Sequence, residues 1–133
     1  VMVCINCNNE THVINSRHQK RANNVWRRRK CTVCMLVFST IESPDLTKSV
    51  LVHKAKASEP FLRDNLFASV YDSLKHRKSA LTDATALTNT AISQVYVLAD
   101  NGVVERDAIV TVVETILTRF DKAAASYYRA FHP

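Results

Sequence analysis

Val25-Trp26-Arg27-Arg28-Arg29-Lys30 runs directly into Cys31-Thr32-Val33-Cys34, and a matching pair, Cys4-Ile5-Asn6-Cys7, stands 23 residues before it. Each Cys-x-x-Cys can wrap a tight turn around a metal and supply two sulfurs, so two such turns complete a tetrahedron. About forty residues bury little apolar surface, and ligation of one ion would supply folding energy that packing does not. The expected ion is a single structural Zn2+, because four protein sulfurs leave no open position for a reacting water. Two redox pairs share the spacing, but thioredoxin-like pairs sit between a strand and a helix, whereas these lie in short polar stretches. His12 and His18 compete as ligands on paper and read better as satisfied or exposed histidines.

Outward from the knuckles, Thr11-His12-Val13-Ile14-Asn15-Ser16 reads as a strand ending in a turn. Asn23-Asn24 marks a second turn before the arginine run, and Met35 to Ile41 reads as a further strand. The pattern predicts a zinc ribbon of short antiparallel strands.

Charge separates this region from the rest. Residues 1–40 carry seven Lys/Arg against one acid, Glu10, whereas the remainder of the 133-residue chain carries eleven of each sign. One zinc on four thiolates lowers the ribbon's formal +6 to about +4, so its expected partner is an anion. Arginine forks suit phosphates and guanine edges, and no acid interrupts the run. Arg17, Lys20, Arg21, Arg27, Arg28 and Arg29 are the candidate nucleic-acid contacts, presented as a row of outward-pointing cations. Trp26 is either the ribbon's hydrophobic plug or a residue that stacks on bases.

Glu42-Ser43-Pro44-Asp45 breaks the apolar pattern and places a boundary, giving expected domains of 1–43 and 48–131. In the second, Val50-Leu51-Val52 predicts a short strand and His53 to Ser58 a polar turn region. Helical spacing of Leu62, Leu66, Phe67, Val70 and Leu74 predicts a helix over about 62–76. A second is expected to be capped by Thr82, to bury Ala84, Leu87, Ala91, Val95 and Leu98, and to end at Asp100-Asn101-Gly102. A third, over about 105–120, would bury Ile109, Val112, Val113, Ile116 and Phe120. A last one, over about 122–130, offers Ala124, Tyr127 or Tyr128, and Phe131. The fold class is therefore α+β: a small ribbon followed by a mainly helical domain.

An enzyme is not expected. With the cysteines committed to metal no nucleophile pattern remains, and a chain whose single glycine is Gly102 has no Gly-rich phosphate loop. Asp64 and Asp72, eight residues apart on one helix, read as solvated surface. No run approaches the ~20 apolar residues of a membrane span, and the polar start is unlike a signal peptide, so a cytoplasmic protein is expected.

Over nearly its whole length the sequence resembles the bacterial NrdR family, the zinc-ribbon and ATP-cone repressors of ribonucleotide reductase genes. The resemblance rests on Cys4-x-x-Cys7, on Thr11 to Arg17, where the family shows a segment ending in Asp-Ser-Arg, on Arg27 to Cys34, and on Phe38-Ser39-Thr40-Ile41-Glu42. In the second domain Val50 to Lys54, Glu59 to Arg63, and Leu74-Lys75-His76-Arg77 are similar to ATP-cone segments. The resemblance implies double-stranded operator DNA as partner, ATP or dATP as regulatory ligand, and a homo-oligomer whose state responds to nucleotide. By position it nominates His53, Lys54, Lys56, His76 and Arg77 as nucleotide contacts. Ala55-Lys56 stands where the cone has a tight Asp-Gly turn, Asn65 where it has a helix lysine, and His53 replaces the first of two lysines. Residues 17–25 are slightly shortened relative to the usual ribbon. Those departures motivate an alternative, a structural or ribosome-associated nucleic-acid-binding protein whose cone has become a packing module. A ribbon that binds only protein is the third reading.

Overall fold

The computed structural model describes residues 1–132, which form two compact units, one from Val1 to Pro44 and one from Asp45 onward. The first is a three-stranded antiparallel sheet of β1 (Thr11–Gln19), β2 (Asn24–Cys31) and β3 (Val37–Glu42), with β2 in the centre. The register pairs Thr11 with Cys31 and Gln19 with Asn24, and slips by one at Ile14, a bulge between Val13 and Asn15. β2 pairs with β3 from Val25–Glu42 to Lys30–Val37. In this unit only Cys4, Thr11 and Cys31 are buried. A sheet with so small an interior cannot rest on hydrophobic burial.

The second unit begins with α1 (Leu46–Ser49), a single turn in which the Asp45 carboxylate accepts from Thr47 N–H. The region expected to hold one strand and a polar turn is a hairpin of β4 (Leu51–Lys54) and β5 (Ala57–Pro60), with Ala55 and Lys56 between the strands. Ala55 takes the left-handed conformation there, at φ 55°. The first position of a two-residue hairpin turn with this backbone hand favours glycine, and its occupation by alanine hides the hairpin in the sequence. A three-residue β6 (Val103–Glu105), too short to show alternation, pairs in parallel with β4 and completes the sheet order β5-β4-β6.

Four helices follow the hairpin: α2 (Arg63–Leu74), α3 (Ala80–Leu98), α4 (Arg106–Phe120) and α5 (Lys122–Phe131), with β6 between α3 and α4. α3 starts at Ala80 and not after Thr82, because Ser79 occupies the cap position and its hydroxyl donates to Asp83 in the first turn (2.6 Å). α2 packs on α3, and the match is one of size: Leu66, Val70 and Leu74 from α2 against the small Ala84, Thr88 and Ala91 of α3. Small residues let two backbones approach while large ones fill the space left between them. Leu117 and Val113 of α4 and Tyr128 of α5 close the core. Leu62, Leu98, Phe120, Tyr127 and Phe131, expected inside, are at least 39% exposed. Four of them stand at helix ends: Leu62 at the cap before α2, and Leu98, Phe120 and Phe131 as the last residues of α3, α4 and α5. Of the alternative pair, Tyr128 is the buried one.

Candidate metal centre, basic sheet and nucleotide cavity

The knuckles are built alike. In the first, Cys4 N–H donates to the Asn9 carbonyl (2.8 Å), Asn6 N–H points at Cys4 Sγ (3.3 Å), and Asn8 turns the chain at φ 63°. In the second, Cys31 N–H donates to the Leu36 carbonyl (2.9 Å), Val33 and Cys34 N–H both point at Cys31 Sγ (3.4 Å), and Met35 turns at φ 66°. The residue after each second cysteine thus adopts the left-handed backbone, common for asparagine and strained for methionine. Backbone N–H groups aimed at sulfur favour the thiolate, the form that binds metal. Bonds from the Asn9 side chain and backbone hold the Cys7 thiol down at about 6.

All four Sγ atoms lie within 4.8 Å of one another. The short approaches cross between knuckles, Cys4 to Cys34 at 3.6 Å and Cys7 to Cys31 at 3.4 Å. Redox pairs would close within each Cys-x-x-Cys, and a disulfide needs about 2.05 Å. A tetrahedron with metal–sulfur bonds of about 2.3 Å sets sulfurs about 3.8 Å apart, close to the spacing found. The donor set therefore fits one soft, tetrahedral divalent ion. His12 and His18 lie exposed on β1, outside the cluster.

The arginine run is not one row. Because residues directly opposite in an antiparallel sheet share a face and successive ones alternate, β2 divides it. Trp26, Arg28 and Lys30 share a face with Asn15 and Arg17 of β1 and with Ser39 and Ile41 of β3. Arg27 and Arg29 lie on the opposite face with Thr11, Cys31, Phe38 and Glu42. There Arg27 pairs with Glu42 (3.3 Å), and Arg29 donates to the Thr11 hydroxyl (3.4 Å), which itself donates to the Met2 carbonyl. Lys20 and Arg21 sit in the turn between β1 and β2. Trp26 is half-buried on its face between Arg17 and Ile41, so it is not an interior plug.

In the second unit a cavity of about 270 Å³ lies beside β4, β5, α2, α4 and the end of α5. Its apolar wall includes Phe61, Leu66, Ile109 and Tyr128; its polar groups are Lys54, Glu59, Asn65, Arg106 and His132. Burial pushes the Tyr128 phenol up to about 12, so the hydroxyl stays neutral. Of the five nominated nucleotide contacts, Lys54 alone lines this cavity. His53 alternates to the other side of β4 and pairs with Glu105 (2.9 Å), while Lys56 is exposed in the hairpin turn. His76 and Arg77 both meet Asp121 at the junction of α2, α3, α4 and α5, and are not brought to the cavity.

A sequence profile described as "Transcriptional repressor NrdR-like, N-terminal domain" matches residues 2–42. The transcriptional repressor NrdR of Streptococcus gordonii is 31% identical over 98% of this chain and 85% of its own length. The chain belongs to the NrdR family of transcriptional repressors. Other NrdR proteins, from Latilactobacillus sakei and Tropheryma whipplei, are each 28% identical over 98% of this chain, covering 85% and 89% of their own lengths. NrdR membership places the chain among regulators and not among enzymes, and agrees with the ribbon followed by a mainly helical domain.

Arg106, Tyr128 and His132 reach the cavity from far along the chain, and no local sequence pattern ties them to β4 and β5. Arg106 opens α4 immediately after β6, a strand of three residues that is too short to show alternation in the sequence. Among the described residues no helix is long and apolar enough to cross a membrane.

Proposed function

We propose that the chain is a zinc-dependent, nucleotide-responsive transcriptional repressor that binds operator DNA of ribonucleotide reductase genes. The gathering of four cysteine sulfurs within 4.8 Å at one end of a basic three-stranded sheet carries this reading. Cys4, Cys7, Cys31 and Cys34 hold one structural Zn2+, and residues 1–43 form the nucleic-acid-binding domain. The ion fixes the knuckles, and the knuckles fix β2.

Residues 48–131 act as the regulatory domain and take ATP or dATP in the cavity beside β4. Its apolar wall suits a base. Lys54, Arg106 and His132 supply donors that suit phosphates without a glycine loop. At about 270 Å³ the cavity is near the lower end for ligand sites, so the triphosphate extends toward solvent. Gating follows if nucleotide binds differently to oligomers that can and cannot present paired ribbons, since a ligand shifts an equilibrium only by its differential affinity. Such a repressor works as a homo-oligomer in the cytoplasm.

The test is a titration of zinc-loaded protein onto duplex DNA in apo, ATP and dATP forms, with solution mass recorded at each step. Mass and affinity are expected to differ between forms. Identical mass and affinity in all three would overturn the gating; preference for structured RNA would favour a ribosome-associated role.

A further inference from the structure

The sheet sorts its cations by side. On one face stand Arg17, Arg28 and Lys30, flanking Trp26 and Ile41, and the aligned positions of all three strands on that face include no acid. Among the described residues none of these three cations has an ion-pair partner. Arg17 and Arg28 are exposed, and Ile41 is 63% exposed. On the opposite face Arg27 is held by Glu42, and Arg29, whose Nε is buried, reaches the Thr11 hydroxyl beside the fully buried Cys31.

The geometry points to the Arg17–Arg28–Lys30 face as the surface that grips duplex DNA, with Arg27 and Arg29 as positioning residues on the opposite face: Arg29 braces the metal end of the sheet at Thr11, and Arg27 ties β2 to β3 at the end away from the metal through Glu42. This assignment rests on the DNA-binding reading above and deepens it. A guanidinium already paired to a carboxylate must break that pair to reach a phosphate, whereas a free one only sheds counterions. An acid-free face carries no group that repels the polyanion, and the opposite face carries Glu42 at its rim. Trp26 and Ile41 give the gripping face an apolar centre between its cations, suited to deoxyribose and thymine methyl contacts. The second, fourth and earlier β1 cation therefore contact DNA, while the first and third of the run do not.

The test uses the full zinc-loaded chain and labelled duplex DNA of arbitrary sequence, because phosphate contacts need no operator. The affinity is measured against salt concentration. Arg17→Gln and Arg28→Gln should each weaken binding and lower the salt slope by about one. Arg27→Gln should leave the slope unchanged and lower only the melting temperature. Ile41→Ala should weaken binding with the slope preserved. A slope that falls as much for Arg27→Gln as for Arg28→Gln overturns the face assignment while leaving DNA binding intact. Absence of any wild-type binding overturns the DNA reading itself and the face with it. Tighter binding to structured RNA than to duplex overturns the duplex as occupant.

Discussion

Arg77 Nη1 lies 3.1 Å from Asp121 Oδ2, and the same guanidinium places Nε 2.9 Å from Asp83 Oδ2. One side chain thus ties the end of α2 to the start of α3 and to the α4–α5 junction. It also covers the Phe120 ring at 4.6 Å, which accounts for an aromatic residue left outside the core. A residue so occupied is a brace. Arg77→Ala is expected to lower the melting temperature of the helical unit by several degrees. Arg77→Lys should recover only part of that, because an ammonium cannot hold two carboxylates with a planar fork. Nucleotide affinity per folded molecule, measured by calorimetry, should be unchanged in both; a lost affinity with an unchanged melting temperature would return Arg77 to the ligand.

Asp121 carries the pH dependence of this junction. Hydrogen bonds from the His76 ring and from Ala124 N–H, and then Arg77, hold its carboxyl well below the usual carboxylate range. Its other oxygen caps α5 by accepting from Ala123 N–H (2.9 Å) and Ala124 N–H (3.1 Å). A folded value below the unfolded one, about 3.9, means the contribution is fully present above about pH 4 and is lost as the pH falls further. Asp83 adds in the same direction, lowered by Ser79 and then by Arg77. Denaturation curves from pH 7 to 2 should therefore show a steeper acid limb for wild type than for Asp121→Asn. Parallel limbs would remove Asp121 from the acid response.

Parts of this architecture were plain in the sequence because one physical pattern fixes each. Two Cys-x-x-Cys pairs in short polar stretches fit one tetrahedral centre better than two redox sites, and the stripe Leu62, Leu66, Phe67, Val70, Leu74 mixes separations of three and four that a strand's alternation does not give. The sheet of the second unit was hidden because its turn uses Ala55 in a glycine conformation and its third strand has only three residues. The division of the arginine run was legible in principle, since alternation along a strand is fixed at two. What the sequence did not contain was which face holds Glu42, because that depends on the register between β2 and β3. His76 and Arg77 stand beside each other near cone-like residues, yet the partners that occupy them, Asp83 and Asp121, are six and forty-four residues beyond Arg77. The pairing with Asp121 in particular leaves no local signal.

Gly102 is a second position where the backbone decides. It sits at φ 76°, and a Cβ added there would meet the Ser49 carbonyl oxygen at 3.0 Å. Its own carbonyl accepts from Leu51 N–H (2.7 Å), which sets the approach of β6 to β4. Gly102→Ala therefore meets both a disfavoured conformation and a close backbone contact that cannot rotate away. A loss of about 1–3 kcal/mol is expected in urea denaturation. Because β6 leads into Arg106, nucleotide affinity should fall as well. A variant as stable as wild type would mean the turn relaxes without moving β6.

The ribbon's stability is expected to reside in its metal. With only Cys4, Thr11 and Cys31 buried in residues 1–44, apolar burial supplies little, whereas structural zinc contributes an apparent ~10–16 kcal/mol in small ribbons and fingers at neutral pH. Cys31 is the most enclosed ligand, at 0% exposure, and its sulfur accepts two backbone N–H groups. Serine there cannot offer a thiolate at pH 7. Cys31→Ser, or a strong chelator on the wild type, should unfold the sheet, shift Trp26 fluorescence toward its solvent-exposed value and abolish the salt-dependent grip on DNA. The helical circular dichroism of the second unit should persist, since its core of Leu74, Val95 and Leu117 is built without the ribbon. Trp26 fluorescence unchanged by complete removal of the metal would show that the four sulfurs hold the knuckles together without it.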